Sequence, residues 1–182
     1  MGRWLRRLIV TLLVLIVVAG GACWWFISYI SPDEKLDMSY QSIDMGEKIM
    51  DMIGRRKLEL VLTEADVNNL IKMNMKRELA DNIVLDGAKF ELEQDALHAV
   101  LNVNYHNLVP AQIDVDYRLE WKQPNIVLYP QAIAVKGIDL PLSMLEVVEA
   151  PIQLPAGNRV KIENVAFGPQ EIRVKFKLQL FS

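Results

Sequence analysis

His98 and His106 are the only imidazoles in the chain, so general acid–base or metal chemistry would have to begin with them. Both alternate onto the polar side of a strand-like run. Pairing that run with its neighbours brings His98 close to Glu91 and Glu120, and a carboxylate–histidine–carboxylate row could hold a divalent metal. The same row also fits an ordinary exposed charged stripe on a sheet, because no third fixed ligand or enclosing loop accompanies it. Ser143 has neither an acid partner nor a nucleophile-elbow context. Glycine-rich phosphate loops are absent, and the single cysteine, Cys23, lies inside an apolar run. The residues imply no catalytic group, no metal, no cofactor and a protein that is not an enzyme.

One further cluster of acids and amides stands out, "LTEADVNNLI" at Leu62 to Ile71. Its spacing is that of a helix start. Thr63 suits the N-cap, Asp66 occupies the capping-box position, and Glu64 and Asp66 sit where the helix dipole favours negative charge. Val67, Leu70, Ile71, Met75 and Leu79 continue at helical spacing on one apolar face. Capping leaves Asn68 and Asn69 unexplained, and at least one is expected to bond to a neighbouring backbone group.

The elements around these residues begin with an apolar anchor. Leu8 to Ile30 contains no charged residue and is long enough to cross a bilayer. Arg3, Arg6 and Arg7 precede it and Asp33 and Glu34 follow it, which places Met1 in the cytoplasm and the rest of the chain outside. Trp24, Trp25, Phe26 and Tyr29 would sit at the outer headgroup level. A cleaved signal peptide, with small residues at Ala19 to Ala22, and a lipobox-like "GAC" at Gly21 to Cys23 are the alternatives. The aromatic cluster after them favours an uncut, single-pass anchor in the cytoplasmic membrane. Removing the three N-terminal arginines from 20 basic residues leaves 17 against 23 acidic ones, a net of −6. That balance argues against nucleic acid or anionic lipid headgroups as targets of the whole surface.

The expected organisation is a basic start and anchor over 1–31, a stalk with a weak helical pattern over 32–57, and an extracytoplasmic α+β domain over 58–182. Leu58, Leu60 and Leu62 alternate as a strand leading into the capped helix. Phe90 and Leu92, Leu97 to Tyr105, Ile113 to Trp121, Ile126 and Leu128, Val160 and Ile162, and Ile172 to Leu180 each place apolar residues on one face. Keeping those faces together pairs Tyr105 with Ile113 and Leu97 with Trp121, with a loop over Asn107 to Ala111. Turns are expected at Gln94-Asp95, at Lys122 to Asn125 and at Gly168-Pro169. Pro130 marks an edge or bulge, and Leu142 to Ala150 reads as a short helix stopped by Pro151. The fold class is α+β: an N-terminal transmembrane helix, then a curved antiparallel sheet of about six strands packed on one main helix, plus a short second helix.

The anchor, "LTEADVNNLI" and "GIDLPLSMLEVV" at Gly137 to Val148 resemble the YpmS-like family of uncharacterised Gram-positive membrane proteins. More distantly, the strand, capped helix and meander look like small modules related to the tubular lipid-binding fold. That resemblance implies an acyl chain held between helix and concave sheet. The residues that would line such a groove are Phe90, Tyr105, Tyr117, Leu119, Trp121 and Phe176 on the sheet, Leu70, Ile71 and Met75 on the helix, and Leu145. The same residues would equally form a solid core in a structural module that meets an envelope protein.

Overall fold

The uncharged run folds as α1 (Arg3–Ile30), the one helix among the described residues long and apolar enough to cross a membrane. At 1.5 Å per residue it spans roughly 40 Å, more than the hydrocarbon core of a bilayer. The computed structural model describes residues 2–43, 46, 48, 52, 58–80, 82–151 and 160–178. Most of the helical pattern expected over Ile43 to Ile53, and Leu180 at the close of the last run, lie outside them.

The domain after α1 contains β1 (Glu59–Thr63), α2 (Glu64–Asn74), β2 (Glu78–Ala80), β3 (Ile83–Glu93), β4 (Ala96–Tyr105), β5 (Val109–Lys122), β6 (Asn125–Val135), β7 (Ile138–Asp139), β8 (Val148–Pro151), β9 (Val160–Gly168) and β10 (Glu171–Leu178). Strands β2 to β7 form a curled antiparallel sheet in sequence order, with β8 added to the start of β6. The closing hairpin does not extend this sheet. It pairs with β1 in a separate sheet of order β1-β10-β9. In that sheet Lys175 of β10 lies opposite Glu59 of β1. Leu60, Leu62, Leu85, Phe90, Leu92, Leu97, Val115, Leu119, Val174 and Phe176 form one continuous buried core between the layers.

Two expectations are corrected. The β4–β5 register places Tyr105 opposite Val109 and Leu97 opposite Tyr117, four residues from the expected pairing. A tight turn at His106 and Asn107, with φ of 52° and 55°, closes the hairpin before Pro110, which joins the strand. These residue types tolerate left-handed backbone. The shift is even, so every apolar side chain keeps its face. Second, the helix expected from Leu142 to Ala150 is reduced to a single 3-10 turn at Leu142–Met144. Val148–Pro151 instead pairs with Asn125–Leu128. Pro141 and Pro151 leave too few residues for a stable helix, Val147 and Val148 are β-branched, and Pro151 disfavours helical backbone at Ala150. The bulge expected at Pro130 is present: Tyr117 faces Pro130 and Asp116 faces Ala132.

The segment after α1 is bound to the domain as a strap. Gly87, Asn102 and Gln112 form a row across β3, β4 and β5, continued by Lys136 just beyond β6. Asp33 pairs with Lys136 and its N–H donates to Gln112 Oε1 at 3.3 Å. Asn102 Nδ2 donates to Glu34 O at 2.6 Å, and Ala88 N–H donates to Asp37 O at 3.3 Å. A Cβ on Gly87 would collide with the backbone of Leu36 and Asp37. Glycine is required there because chain crosses chain.

Candidate functional site

The acids and amides of "LTEADVNNLI" all have structural partners. Asp66 N–H donates to Thr63 Oγ1 at 3.3 Å, and Thr63 N–H donates to Asp66 Oδ2 at 3.0 Å, closing the expected capping box. Past the short pairing with β2, the outer edge of β3 bears unpaired N–H groups. Glu64 Oε2 accepts from Leu92 N–H at 2.9 Å and Asn68 Oδ1 accepts from Phe90 N–H at 3.2 Å. Four helical residues rise about 6 Å and two strand residues about 6.6 Å, so side chains at i and i+4 of α2 reach alternate amides of β3. Asn69 Oδ1 accepts from Gln41 N–H at 3.1 Å and ties the strap to the helix. Both asparagines thus bond to backbone from other segments.

Burial works against the charge on Asp66, but hydrogen bonds from Lys48, at 2.6 Å, and from Thr63 outweigh it and hold the carboxyl below its ordinary range. A carboxyl whose pKa falls on folding stabilises fully above its unfolded value near 4 and loses that contribution as pH drops through the folded value. Asp66→Asn is therefore expected to cost about 1 kcal/mol at pH 7, with the gap to wild type narrowing below about pH 4. Urea titrations across that range check it. A gap that widens in acid contradicts the pairing.

His98 sits opposite Glu91 as expected, but its partner across β5 is Asp116, not Glu120, because of the register shift. Its Nδ1 lies 2.5 Å from Asp116 Oδ1. Glu91 is engaged at 2.6 Å by Lys89, whose hydrogen bond and charge hold that carboxyl below its usual range. Glu91, His98 and Asp116 border an open pocket of about 480 Å³ that Tyr117 and Arg118 also line. No group of three His, Cys, Asp or Glu placed to hold a metal occurs among the described residues. His106 belongs to the β4–β5 turn, and Ser143 lies exposed on the 3-10 turn.

The residues expected to line an apolar groove separate into three groups. Phe90, Leu119 and Phe176 are buried in the core, while Leu70, Ile71, Met75, Tyr117, Trp121 and Leu145 are half-buried against it. Tyr105 is 50 % exposed and packs edge-on against His106, outside the interior. α2 covers β1 and the edge of β3, with Leu70, Ile71 and Met75 half-buried against the core there. The partly open apolar surface lies on β5 and β6. There Tyr117, Leu119 and Trp121 face Pro130, Leu128 and Ile126 in register. Burial raises the Tyr117 phenol above its usual range, as a ring among apolar neighbours requires. Ile126 and Leu128 were missing from the sequence-based set, although the Lys122–Asn125 turn already put them on this face. A second cavity of about 590 Å³ lies by the β2–β3 and β4–β5 turns, bordered by Glu78, Asn82 and His106.

No family model, no curated protein and no solved structure matches this chain, so the resemblance to the YpmS-like family rests on the residues quoted for it.

Proposed function

We propose that the protein is a single-pass, membrane-anchored, non-enzymatic module whose domain lies outside the cytoplasm and binds a lipid or another apolar ligand. The carrying observation is the half-buried patch of Tyr117, Trp121, Ile126 and Leu128 on the inner side of a curled sheet. Concave apolar surface of this kind suits an acyl chain better than a polar substrate. The arginines before α1 and the acids after it support the orientation. Protease added to intact protoplasts is expected to remove the domain, and a protected domain contradicts that orientation.

A second reading is an envelope interaction module with a solid core. It is favoured by Leu85, Leu92, Val115 and Val174, each at most 1 % exposed. Ile126→Trp separates the two. Over an open patch the larger ring fills ligand space, so binding of a fluorescent long-chain fatty acid to the purified full chain should fall at least tenfold with the melting temperature retained. In a closed core the same change strains neighbours by about 1–3 kcal/mol. Wild type that binds no fatty acid, together with a destabilised variant, would leave the interaction module standing.

A further inference from the structure

Three turns end the large sheet on the side where α1 arrives: Asn82 before β3, His106 to Leu108 between β4 and β5, and Lys136-Gly137 between β6 and β7. Tyr29 Oη donates to Lys136 O at 3.2 Å, Asp33 pairs with Lys136, and Ile30 is buried where α1 meets β5. From Gly2 to Phe26 the chain is exposed, so the helix leaves the domain at this end. The β4–β5 turn projects beyond the β6–β7 turn. Ile113 faces Val135, so β5 continues past the level of Lys136 from Gln112 to Val109, roughly 10 Å of strand.

That overhanging tip carries exposed apolar residues on either side of the polar His106 and Asn107. Leu108 is 79 % exposed and Tyr105 50 %, and Ile138 on the neighbouring tip is 47 % exposed. Trp24, Trp25 and Tyr29 ring the outer end of α1, and the strap and the Tyr29 contact hold the tips within reach of that aromatic belt. We propose that this end of the domain is a second membrane contact, in which Leu108 and Tyr105 enter the headgroup layer of the leaflet from which α1 emerges. The occupant is a lipid surface because the tip is tied to the helix that crosses it. The inference rests on α1 spanning a bilayer. It places the domain directly on the leaflet, so that apolar cargo need cross little water.

The test uses the full chain in bilayer nanodiscs of phosphatidylglycerol and phosphatidylcholine. The wild-type Cys23, labelled with an environment-sensitive fluorophore, reports on α1. In a Cys23→Ser background, labels at Leu108→Cys and at Asp95→Cys, on the opposite end of the sheet, report on the domain. Lipids spin-labelled at the headgroup are expected to quench position 108 several-fold more than position 95, while Cys23 is quenched by lipids labelled on the acyl chain. Because a label could itself seek lipid, Leu108→Asp is added to a Tyr105→Cys reporter, and quenching there should fall several-fold. Quenching at Cys23 with equal signals at 108 and 95, or a Tyr105→Cys signal untouched by Leu108→Asp, overturns the membrane contact and keeps the anchor. An unquenched Cys23 overturns both.

Discussion

Replacing Glu64 and Asn68 together by alanine is expected to lower the unfolding free energy by about 2–4 kcal/mol. Each change leaves a partly buried β3 amide without an acceptor, at about 1–2 kcal/mol apiece. The two side chains serve different amides, so the single changes should nearly add. Amide exchange at Phe90 and Leu92 should accelerate, and the bared edge of β3 should promote association between copies. Urea titration and site-resolved exchange check this. Unaltered exchange at both amides would show that α2 does not cap the edge. The helix start is thus a side-chain substitute for a missing strand, not a reactive cluster.

Gly87→Val carries the other large effect. Its side chain would occupy the space through which Leu36 and Asp37 cross the sheet. Either the strap lifts away or the strand shifts, at a cost of about 1–3 kcal/mol. Asn102 Nδ2 then loses Glu34 O, and its amide, 4 % exposed, is left poorly satisfied. Trypsin should cut after Lys35 much faster than in wild type. Unchanged protection at Lys35 would mean that the strap is not held through this crossing.

The parts written in local periodicity were legible in the sequence. The long apolar helix, the Thr63–Asp66 box and the alternating faces of β3 to β6 and β10 follow from spacing alone, and the core membership of Phe90, Leu119 and Phe176 follows from those faces. Parity survived a register shift of four residues because alternation fixes which face a side chain takes but not its partner. That partner depended on left-handed backbone at His106 and Asn107. Alternation likewise could not tell a continued sheet from a second one, so the pairing of β10 with β1 was hidden. Asn68 and Asn69 had no local signal, since their partners lie 22 and 28 residues away. Gly87 and Asn102 gave no hint of a strap for the same reason. Tyr117 and Trp121, already in the expected set, are half-buried on β5, and Ile126 and Leu128 join them across the β5–β6 pairing.

Native mass spectrometry of the full chain, extracted from membranes in mild detergent, tests the ligand reading most directly. The wild type is expected to retain one adduct of lipid mass after annular lipid has been stripped, and Ile126→Trp, still folded, should lose it. A wild-type chain that carries no adduct, or an adduct that Ile126→Trp leaves in place, would contradict lipid binding at the β5–β6 patch.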